Sequence, residues 1–337
     1  MKNLILPFLL ILTLLFSCRS EDYGLLENKA NSYDVYVAGR ENNMACYWKN
    51  GNKVNLLYGN EIYIEKFLVD NNNIYAFGEA LNILDKFTFW KNNIKYDVLQ
   101  YLGIPSGVYF RVFDFYVDND NIYFLGLVEN PFPITSSQKY QLCYWKNGTK
   151  VILNTSGSDN FATNWQEMIV YNNDLYISVK QDNTLGYYKN NIYTQITNQG
   201  YSTGIAKNSN GVYIPVVNNV TSSRYYLNLI TGQTINSNFD HKLFIDNNDF
   251  YSLSGYNEYV KNGNIIQINN NEDYNNPWDL KVINQNEFMI RMKISQGSVF
   301  GIEYKVFINN VETQHIIQEM SGIQYNNSFN SIFVVQN

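Results

Sequence analysis

The sequence predicts an all-β fold, a β-propeller with seven four-stranded blades, and three observations support this prediction. The chain contains 29 Tyr and 20 Phe, is rich in Asn, and has only six Pro in 337 residues. Tyr, Phe, Ile and Val favour strands, whereas Asn and Gly favour tight turns. Two short motifs recur along the chain, and helical spacing of apolar residues is absent beyond the N-terminal segment.

The first predicted element is a signal sequence. Lys2 precedes an apolar run over residues 4–16, which is too short to span a hydrocarbon core of about 30 Å but fits a secretory signal. The run ends in Leu15-Phe16-Ser17-Cys18, which resembles a bacterial lipobox. This resemblance implies that residues 1–17 form a lipoprotein signal peptide and that Cys18 becomes the lipidated N-terminus. An ordinary secretory signal with an incidental Cys is the alternative.

The residues after Cys18 indicate to which membrane and which side of it the lipoprotein is sorted. Arg19 stands where the inner-membrane retention signal of enteric bacteria has Asp, so outer-membrane sorting is expected. The segment Ser20-Glu21-Asp22-Tyr23 resembles the short signal that exports Bacteroidota lipoproteins to the cell surface. A plain polar tether is the alternative reading of these four residues. Residues 18–31 contain charges, Asn and Gly with little periodicity, which predicts a lipidated flexible tether.

The remaining residues, 32–337, repeat with a period of about 42 residues, the length of a four-stranded propeller blade. One motif is a polar turn followed by an aromatic strand, as at Asp70-Asn71-Asn72-Asn73-Ile74-Tyr75. The other is Tyr-Trp-Lys-Asn-Gly or a close variant, as at Tyr47-Trp48-Lys49-Asn50-Gly51. Each period predicts four antiparallel strands, A to D. Asn-Gly and Asn-Asn tolerate the positive φ that type I′ hairpin turns require.

Ring closure follows from the order of the predicted strands. The chain begins with strands B, C and D and lacks a first strand A, so we expect the C-terminal segment to complete the N-terminal blade. Residues 322–325 and 331–335 are the candidate closing strands. One B-like strand is then spare, and the sequence does not decide whether residues 34–39 or 331–336 form the outer strand. Six or eight blades therefore stay possible.

Through these repeats and the lipobox, the chain resembles the seven-bladed β-propeller lipoproteins of Bacteroidota that carry repeated Tyr-Trp-Lys-Asn-Gly motifs. The resemblance covers residues 32–337 and implies the fold and the anchor. It implies no defined activity, because propellers host both enzymes and scaffolds.

Charge and residue content argue against several functions. The formal net charge of -6 disfavours nucleic acid, which needs a clustered basic surface. The two histidines, His241 and His315, accompany no nucleophile motif and no ligand spacing, so neither a Ser/His/acid site nor a metal site is predicted. No cofactor is expected. Cys46 and Cys143 occupy equivalent strand C positions in different blades, which predicts buried thiols and no disulfide.

The candidate binding face contains the connections that differ between blades. The A–B and C–D turns are short and uniform, whereas the B–C and D–A connections vary, and a feature present in every blade is most simply explained by packing. We therefore expect Trp48, Trp90 and Trp145 to be structural. The candidate ligand residues on the variable face are Tyr101, Phe132, Trp165, Tyr201, Arg224 and Trp278. For the two Trp residues among them, packing is the alternative.

The sequence thus predicts an outer-membrane lipoprotein whose propeller is a non-catalytic binding scaffold for a protein or glycan of the cell envelope. Exposure at the cell surface is expected, and a propeller that faces the periplasm is the alternative. A carbohydrate-binding accessory protein of a glycan-uptake system is one alternative. A carboxylate-dependent glycosidase or lyase is another, because acids on different blades can pair around a central channel. The candidate acids are Asp114, Glu129, Asp159, Glu167 and Asp279.

Overall fold

The computed structural model describes residues 33–81, 86–159, 166–181, 184–237, 242–254, 257–268, 276–295, 301–319 and 326–337. These residues form seven antiparallel sheets, which confirms the prediction of an all-β propeller with seven blades. The signal peptide, Cys18 and the tether lie outside the described residues, as do residues 322–325, Trp165 and His241. Within the described ranges, no helix is long and apolar enough to cross a membrane.

The strands follow the chain blade by blade. Blade 1 contains β1 (Tyr33–Glu41), β2 (Met44–Lys49) and β3 (Asn52–Asn60). Blade 2 contains β4 (Ile62–Asp70), β5 (Asn73–Ala80), β6 (Phe87–Lys91) and β7 (Ile94–Asp97), and the short helix α1 (Val98–Leu102) follows it. Blade 3 contains β8 (Phe110–Asp118), β9 (Asn121–Glu129), β10 (Tyr140–Lys146) and β11 (Thr149–Ser156), with a 3₁₀ turn at Ser136–Gln138. Blade 4 contains β12 (Met168–Tyr171), β13 (Asp174–Gln181), β14 (Thr184–Lys189) and β15 (Ile192–Thr197).

Blade 5 contains β16 (Gly200–Ser202), β17 (Ala206–Asn208), β18 (Gly211–Asn218), β19 (Ser223–Asn228) and β20 (Thr234–Asn236). Here β16 and β17 both pair with β18, so they are two halves of one interrupted inner strand. Blade 6 contains β21 (Leu243–Asp246), β22 (Asp249–Ser254), β23 (Glu258–Lys261) and β24 (Asn264–Gln267). Blade 7 contains β25 (Asn276–Ile283), β26 (Asn286–Ser295), β27 (Gly301–Ile308) and β28 (Val311–Glu319), and the last strand is β29 (Ser328–Gln336).

The C-terminal strand closes the ring, as the strand order predicts. β29 pairs antiparallel with β1, with Tyr33 opposite Gln336, so blade 1 has the order β29-β1-β2-β3. β29 also contacts the inner strands of both neighbouring blades, β4 and β25. The spare strand is therefore the innermost strand of blade 1, and the outer strand is β3. Neither of the two segments considered for the outer strand occupies that place.

The core lies between the blades. Aromatic and aliphatic side chains from facing sheets form separate clusters, and the rings of Trp48, Trp90 and Trp145 are buried in them. Cys46 and Cys143 are free, buried thiols at two different blade interfaces, and burial raises the pKa of each to about 12. The expectation of buried thiols is confirmed.

The recurring Lys-Asn-Gly and Lys-Asn-Asn segments form the C–D turns. In each such turn the Asn takes a positive φ, for example 48° at Asn147, and its Oδ1 accepts a hydrogen bond from a backbone N–H near the start of strand B. Six turns share this bond: Asn50 to Val35, Asn92 to Ile74, Asn147 to Ile122, Asn190 to Leu175, Asn262 to Phe250 and Asn309 to Glu287. In five of the six turns the preceding residue is a Lys that lies over the strand B Tyr of the same blade, as Lys146 does over Tyr123. The repeated motif thus has a structural role.

One connection differs from the sequence prediction. The predicted strand D of blade 2, residues 94–99, ends at Asp97, and α1 replaces its last two residues. Asp97 caps the helix by accepting a hydrogen bond from Gln100 N, and Gly103 ends it with a φ of 66°. These two local signals outweigh the continuation of the strand.

Candidate functional site

The seven blades give the molecule two different faces. On one, which we call the turn face, lie the A–B and C–D turns; on the other, the loop face, lie the B–C and D–A connections, because the strands of each blade run antiparallel. The turn face is regular, with paired positive φ values at Asn71 and Asn72 and at Asn172 and Asn173. The loop face is irregular. Residues that distinguish one blade from another are therefore sought on the loop face and along the central channel.

Four of the inner strands carry a β-bulge near the loop-face end of the channel. The register shifts between Ile64 and Lys66 in β4 and between equivalent residues in β8, β25 and β29. The bulged residues are Glu65, Phe113, Trp278 and Asn330, and we call these four the channel mouth. A bulge redirects one side chain out of the sheet, and these four differ in every blade. The mouth thus has the blade-to-blade variation expected of a functional site.

Two carboxyl groups meet at this mouth. Glu79 lies opposite Tyr63 across the β4–β5 pair, and its carboxyl group is within hydrogen-bonding reach of Glu65. Burial within the mouth, together with Glu79, raises the pKa of Glu65 to about 7. The Glu65 side chain is exposed by surface area, so water screens part of the effect of burial. Sequence reasoning missed this pair because the bulge brings Glu65 out of the strand alternation.

Arg40 lies near the same place, between blades 1 and 2. Its side chain is 1% exposed, and among the residues that the structure describes its Nε and Nη1 have no hydrogen-bond partner. Arg40 pairs with Ser328 across the β1–β29 ladder, and burial lowers its pKa against the opposing effect of Tyr63. A guanidinium group held this way needs polar neighbours or water to offset its desolvation.

The residue after each bulge lies near the middle of its inner strand, beside the channel. Counting back from the A–B turn places the same position in every blade, and we call these seven residues the channel ring: Lys66, Asp114, Glu167, Gly204, Lys242, Asp279 and Ser331. Lys66 Nζ lies 2.5 Å from Asp114 Oδ1 and forms an ion pair. Gly204 has a φ of 150°, and a Cβ there would lie 3.0 Å from Glu167 Oε2, so glycine is required.

The acidic members of the channel ring join neighbouring blades. Each accepts a hydrogen bond from a backbone N–H of the next inner strand: Asp114 from Met168 (2.8 Å), Glu167 from Ile205 (3.2 Å) and Asp279 from Ile332 (2.9 Å). Three of the five acids considered for catalysis therefore have a structural role. Of the other two, Glu129 ends β9 and Asp159 is exposed beyond β11. In the described part of the chain, no three His, Cys, Asp or Glu side chains are grouped to hold a metal ion.

The basic side chains near the channel, unlike the acidic ones, do not all bond to the neighbouring blade. Lys281 Nζ lies 4.6 Å from the centre of the Phe244 ring, and Lys242 Nζ lies 5.8 Å from the same centre. Lys207 Nζ donates to Val170 O, at 2.7 Å, close to the turn face. Burial and the cationic neighbours Lys242 and Lys66 lower the pKa of Lys281 to about 8, although Asp279 and Glu167 oppose this shift.

The predicted ligand residues occupy dissimilar environments. Trp278 is 41% exposed in the channel mouth, inside β25. Phe132 is 85% exposed in the B–C connection of blade 3. Tyr201 and Arg224 are half-buried on β16 and β19 of blade 5. The structure does not bring these residues together into one pocket, although Phe132 and Trp278 share the loop face.

Tyr101 is not placed on the loop face. α1 packs between blades 2 and 3, where the Tyr101 ring lies against Phe89 at 4.9 Å and is half-buried. A Cβ at Gly148, in the C–D turn of blade 3, would lie 3.0 Å from Tyr101 O. The D–A connection of blade 2 thus fills the gap between the outer parts of two blades.

The connection that carries Phe132 is held in place by polar contacts. Asn130 Nδ2 donates to Gln138 O at 2.8 Å, and Asn130 Oδ1 accepts from Phe132 N and from Gln141 Nε2. Ile134, two residues after Phe132, is 87% exposed. Two large apolar side chains are therefore presented to solvent on an ordered loop, which is typical of a surface that meets a partner.

A second concave region lies on the turn face. An open polar pocket of about 400 Å³ is formed between blades 3, 4 and 5. Its lining residues are Asp118, Asn119, Val170, Tyr171, Asn172, Asn173, Lys207 and Asn208. Apart from Lys207, these residues belong to the repeated turns and the ends of the strands beside them.

Comparisons with known proteins add a remote likeness. No family model matches the sequence, and no curated protein matches it. Among solved structures, apo AztD from Citrobacter koseri matches with 8% identity and a TM-score of 0.47, over 90% of this chain and 98% of that chain. Hsv2 from Kluyvelomyces marxianus matches with 9% identity and a TM-score of 0.43, over 83% and 91%. Likenesses this remote carry no ligand or activity over to this chain.

Proposed function

We propose that this protein is a non-catalytic binding scaffold, anchored at the cell envelope, that engages a macromolecular partner through its loop face. The contrast between the two faces carries this proposal. The turn face consists of repeated, internally hydrogen-bonded turns, whereas the loop face differs from blade to blade and exposes Phe132, Ile134 and Trp278. Exposed aromatic anchors beside polar loops are typical of binding surfaces.

The proposed lipid anchor supports the same choice of face. Tyr33 begins β1 opposite Gln336, at the turn face, where Asn284 Nδ2 also donates to Gln336 Oε1. A tether over residues 18–31 that is acylated at Cys18 would therefore join the propeller on its turn face. The loop face would then point away from the membrane, toward partners.

Acid catalysis receives less support from the geometry. The Glu65 and Glu79 carboxyl groups are in hydrogen-bonding contact, whereas the acids of glycosidases are about 5 Å or more apart. Asp114, Glu167 and Asp279 are engaged by backbone N–H groups. These arrangements favour rigidity over proton transfer to a substrate.

A glycan partner is the second candidate, and one observation favours it. Trp278 exposes its ring within the polar channel mouth, next in the ring of blades to Asn330, and indole faces stack on sugars. Trp278→Ala would then abolish retention on immobilised envelope polysaccharide. If a glycan partner were retained equally by the wild type and this variant, the mouth would not be its site.

The binding face is tested with two matched variants. Phe132→Asp changes an apolar side chain on the loop face, and Ile192→Asp changes a 72% exposed apolar side chain next to a C–D turn. We expect Phe132→Asp to reduce capture of envelope components from the producing cells at least tenfold, while Ile192→Asp leaves it unchanged. Equal capture by both variants would contradict the proposal.

Anchoring and exposure require a separate measurement. Intact cells that produce an epitope-tagged chain are treated with proteinase K, beside cells that produce Cys18→Ala. Shaving of the wild-type tag and release of the variant are expected. Protection of the tag until the outer membrane is broken would place the propeller in the periplasm and contradict the export signal proposed at residues 20–23.

A further inference from the structure

Two lysine side chains in the central channel have positive charges that the neighbouring side chains do not neutralise directly. Lys242 belongs to the channel ring, and Lys281 lies two residues after Asp279 on β25. Both are half-buried, and both ammonium groups lie near the single ring of Phe244. Among the residues that the structure describes, neither ammonium group has a hydrogen bond or an ion pair.

The other basic side chains near the channel axis differ in this respect. Lys66 is paired with Asp114, and Lys207 donates to Val170 O. A half-buried ammonium group has lost part of its hydration, so leaving it without an acceptor is unfavourable. Lys242 and Lys281 are therefore a pair of charged donors without protein acceptors, on adjacent blades 6 and 7.

The nearby carboxylates do not take that place because they are already engaged. Asp279 accepts from Leu280 N and Ile332 N, and Glu167 accepts from Ile205 N. The negative charges of these carboxylates still influence the lysines at a distance. Burial opposes the charge of Lys242, but Glu167, Asp279 and Asp114 together raise its pKa. Both lysines thus carry positive charge at neutral pH.

We propose that Lys242 and Lys281 bind a small, doubly charged oxyanion of the phosphate or dicarboxylate class inside the central channel. Lysine binds such groups as a compact charged donor. The two ammonium groups lie 5.8 Å and 4.6 Å from the centre of the same aromatic ring, and the charge of Lys242 lowers the pKa of Lys281, so the two positive charges are close enough for one small anion to be shared. The site is separate from the loop-face surface, and it does not depend on the proposed partner binding.

The test is calorimetric titration of the full-length chain in detergent at neutral pH, in a buffer free of multivalent anions. Inorganic phosphate and succinate are the two probes, which distinguish a phosphate site from a dicarboxylate site. We expect saturable binding of one of them, weakened at least tenfold by Lys242→Met and by Lys281→Met. Lys146→Met is the matched control, because Lys146 also lies over an aromatic ring but stands on the surface.

Two outcomes would overturn the proposal. The first is that neither probe binds the wild type at millimolar concentration. The second is that both channel variants bind the probe as tightly as the wild type does. Loss of fold does not explain weaker binding by Lys281→Met, because removing a charge that burial disfavours does not destabilise the folded state. An unchanged or raised melting temperature of anion-free Lys281→Met verifies this point.

Discussion

Asn147 shows at the residue scale why the chain is so rich in asparagine. Its φ of 48° suits the first position of a type I′ turn, its Oδ1 accepts from Ile122 N at 2.9 Å, and its Nδ2 donates to Asn121 Oδ1 at 3.0 Å. One side chain thus permits the turn and joins it to strand B. Neither glycine nor serine combines both properties, which explains the recurrence of Asn at this place.

Two substitutions at Asn147 separate these contributions. Asn147→Gly keeps the positive φ but removes the side-chain bonds, so we expect the free energy of unfolding to fall by about 0.5–1 kcal/mol. Asn147→Ala also strains the turn, so a fall of about 1–2 kcal/mol is expected. Urea denaturation measures both. A larger loss for Gly than for Ala would contradict the assignment of the turn.

Glu65 gives a prediction about pH. Its folded pKa of about 7 lies above the ordinary value of 4.5, so between these values the folded state binds more protons than the unfolded state. The stability that Glu65 contributes is therefore present at acid pH and lost as the pH rises through 7. Glu65→Gln should raise the melting temperature at pH 8 and leave it unchanged near pH 4.5.

Glu79→Gln is the companion to this test. It removes the same carboxyl–carboxyl contact, so it should also raise the melting temperature at pH 8. Equal effects of Glu65→Gln at both pH values would show that the two carboxyl groups do not interact in the folded protein.

At the element scale, the inner strands contain β-bulges that the simple alternation of side chains along a strand does not predict. The sequence places Asp114 and Asp279 near strand starts but cannot detect the bulge that precedes each. The bulge reverses the alternation and brings the two carboxylates against the next blade. The type I′ turns, in contrast, depend only on adjacent residues, and the sequence predicts them correctly. Turns that depend on adjacent residues can be predicted from the sequence, whereas contacts between blades cannot.

Asp279 is the sharpest test of the contacts between blades. Its carboxylate accepts from Leu280 N at 3.0 Å and from Ile332 N at 2.9 Å, and Ile332 lies on the closing strand β29. Asp279→Ala leaves two buried N–H groups without their acceptor, so we expect the free energy of unfolding to fall by about 2–4 kcal/mol. Denaturation in urea provides the measurement.

Asp279→Asn and Asp159→Ala complete that comparison. The amide keeps one acceptor oxygen, so its loss should be smaller than that of the Ala variant. Asp159 is exposed, and its replacement should change stability by less than about 0.5 kcal/mol. A neutral Asp279→Ala variant would mean that the blades are held together by apolar packing alone.

At the scale of the whole molecule, the closing strand determines both the blade count and the orientation. The repeat period predicts the architecture because every blade uses the same turns. The position of the spare strand depends on pairing between β29 and β1, which are separated by nearly the whole chain. No local sequence signal predicts this pairing. The candidate site follows the same rule: Phe132 and Trp278 are recognisable as irregular residues, whereas the Glu65–Glu79 and Lys242–Lys281 pairs depend on the folded ring.

Site-specific photo-crosslinking in the producing cells tests the central claim most directly. A benzophenone amino acid is placed at Phe132 and Trp278 on the loop face, and at Thr149 and Ile192 beside the turn face. The account predicts discrete crosslinked products from the loop-face positions and none from the other two. Products that arise only from Thr149 or Ile192 would show that the partner binds the regular face, and would contradict the proposed function.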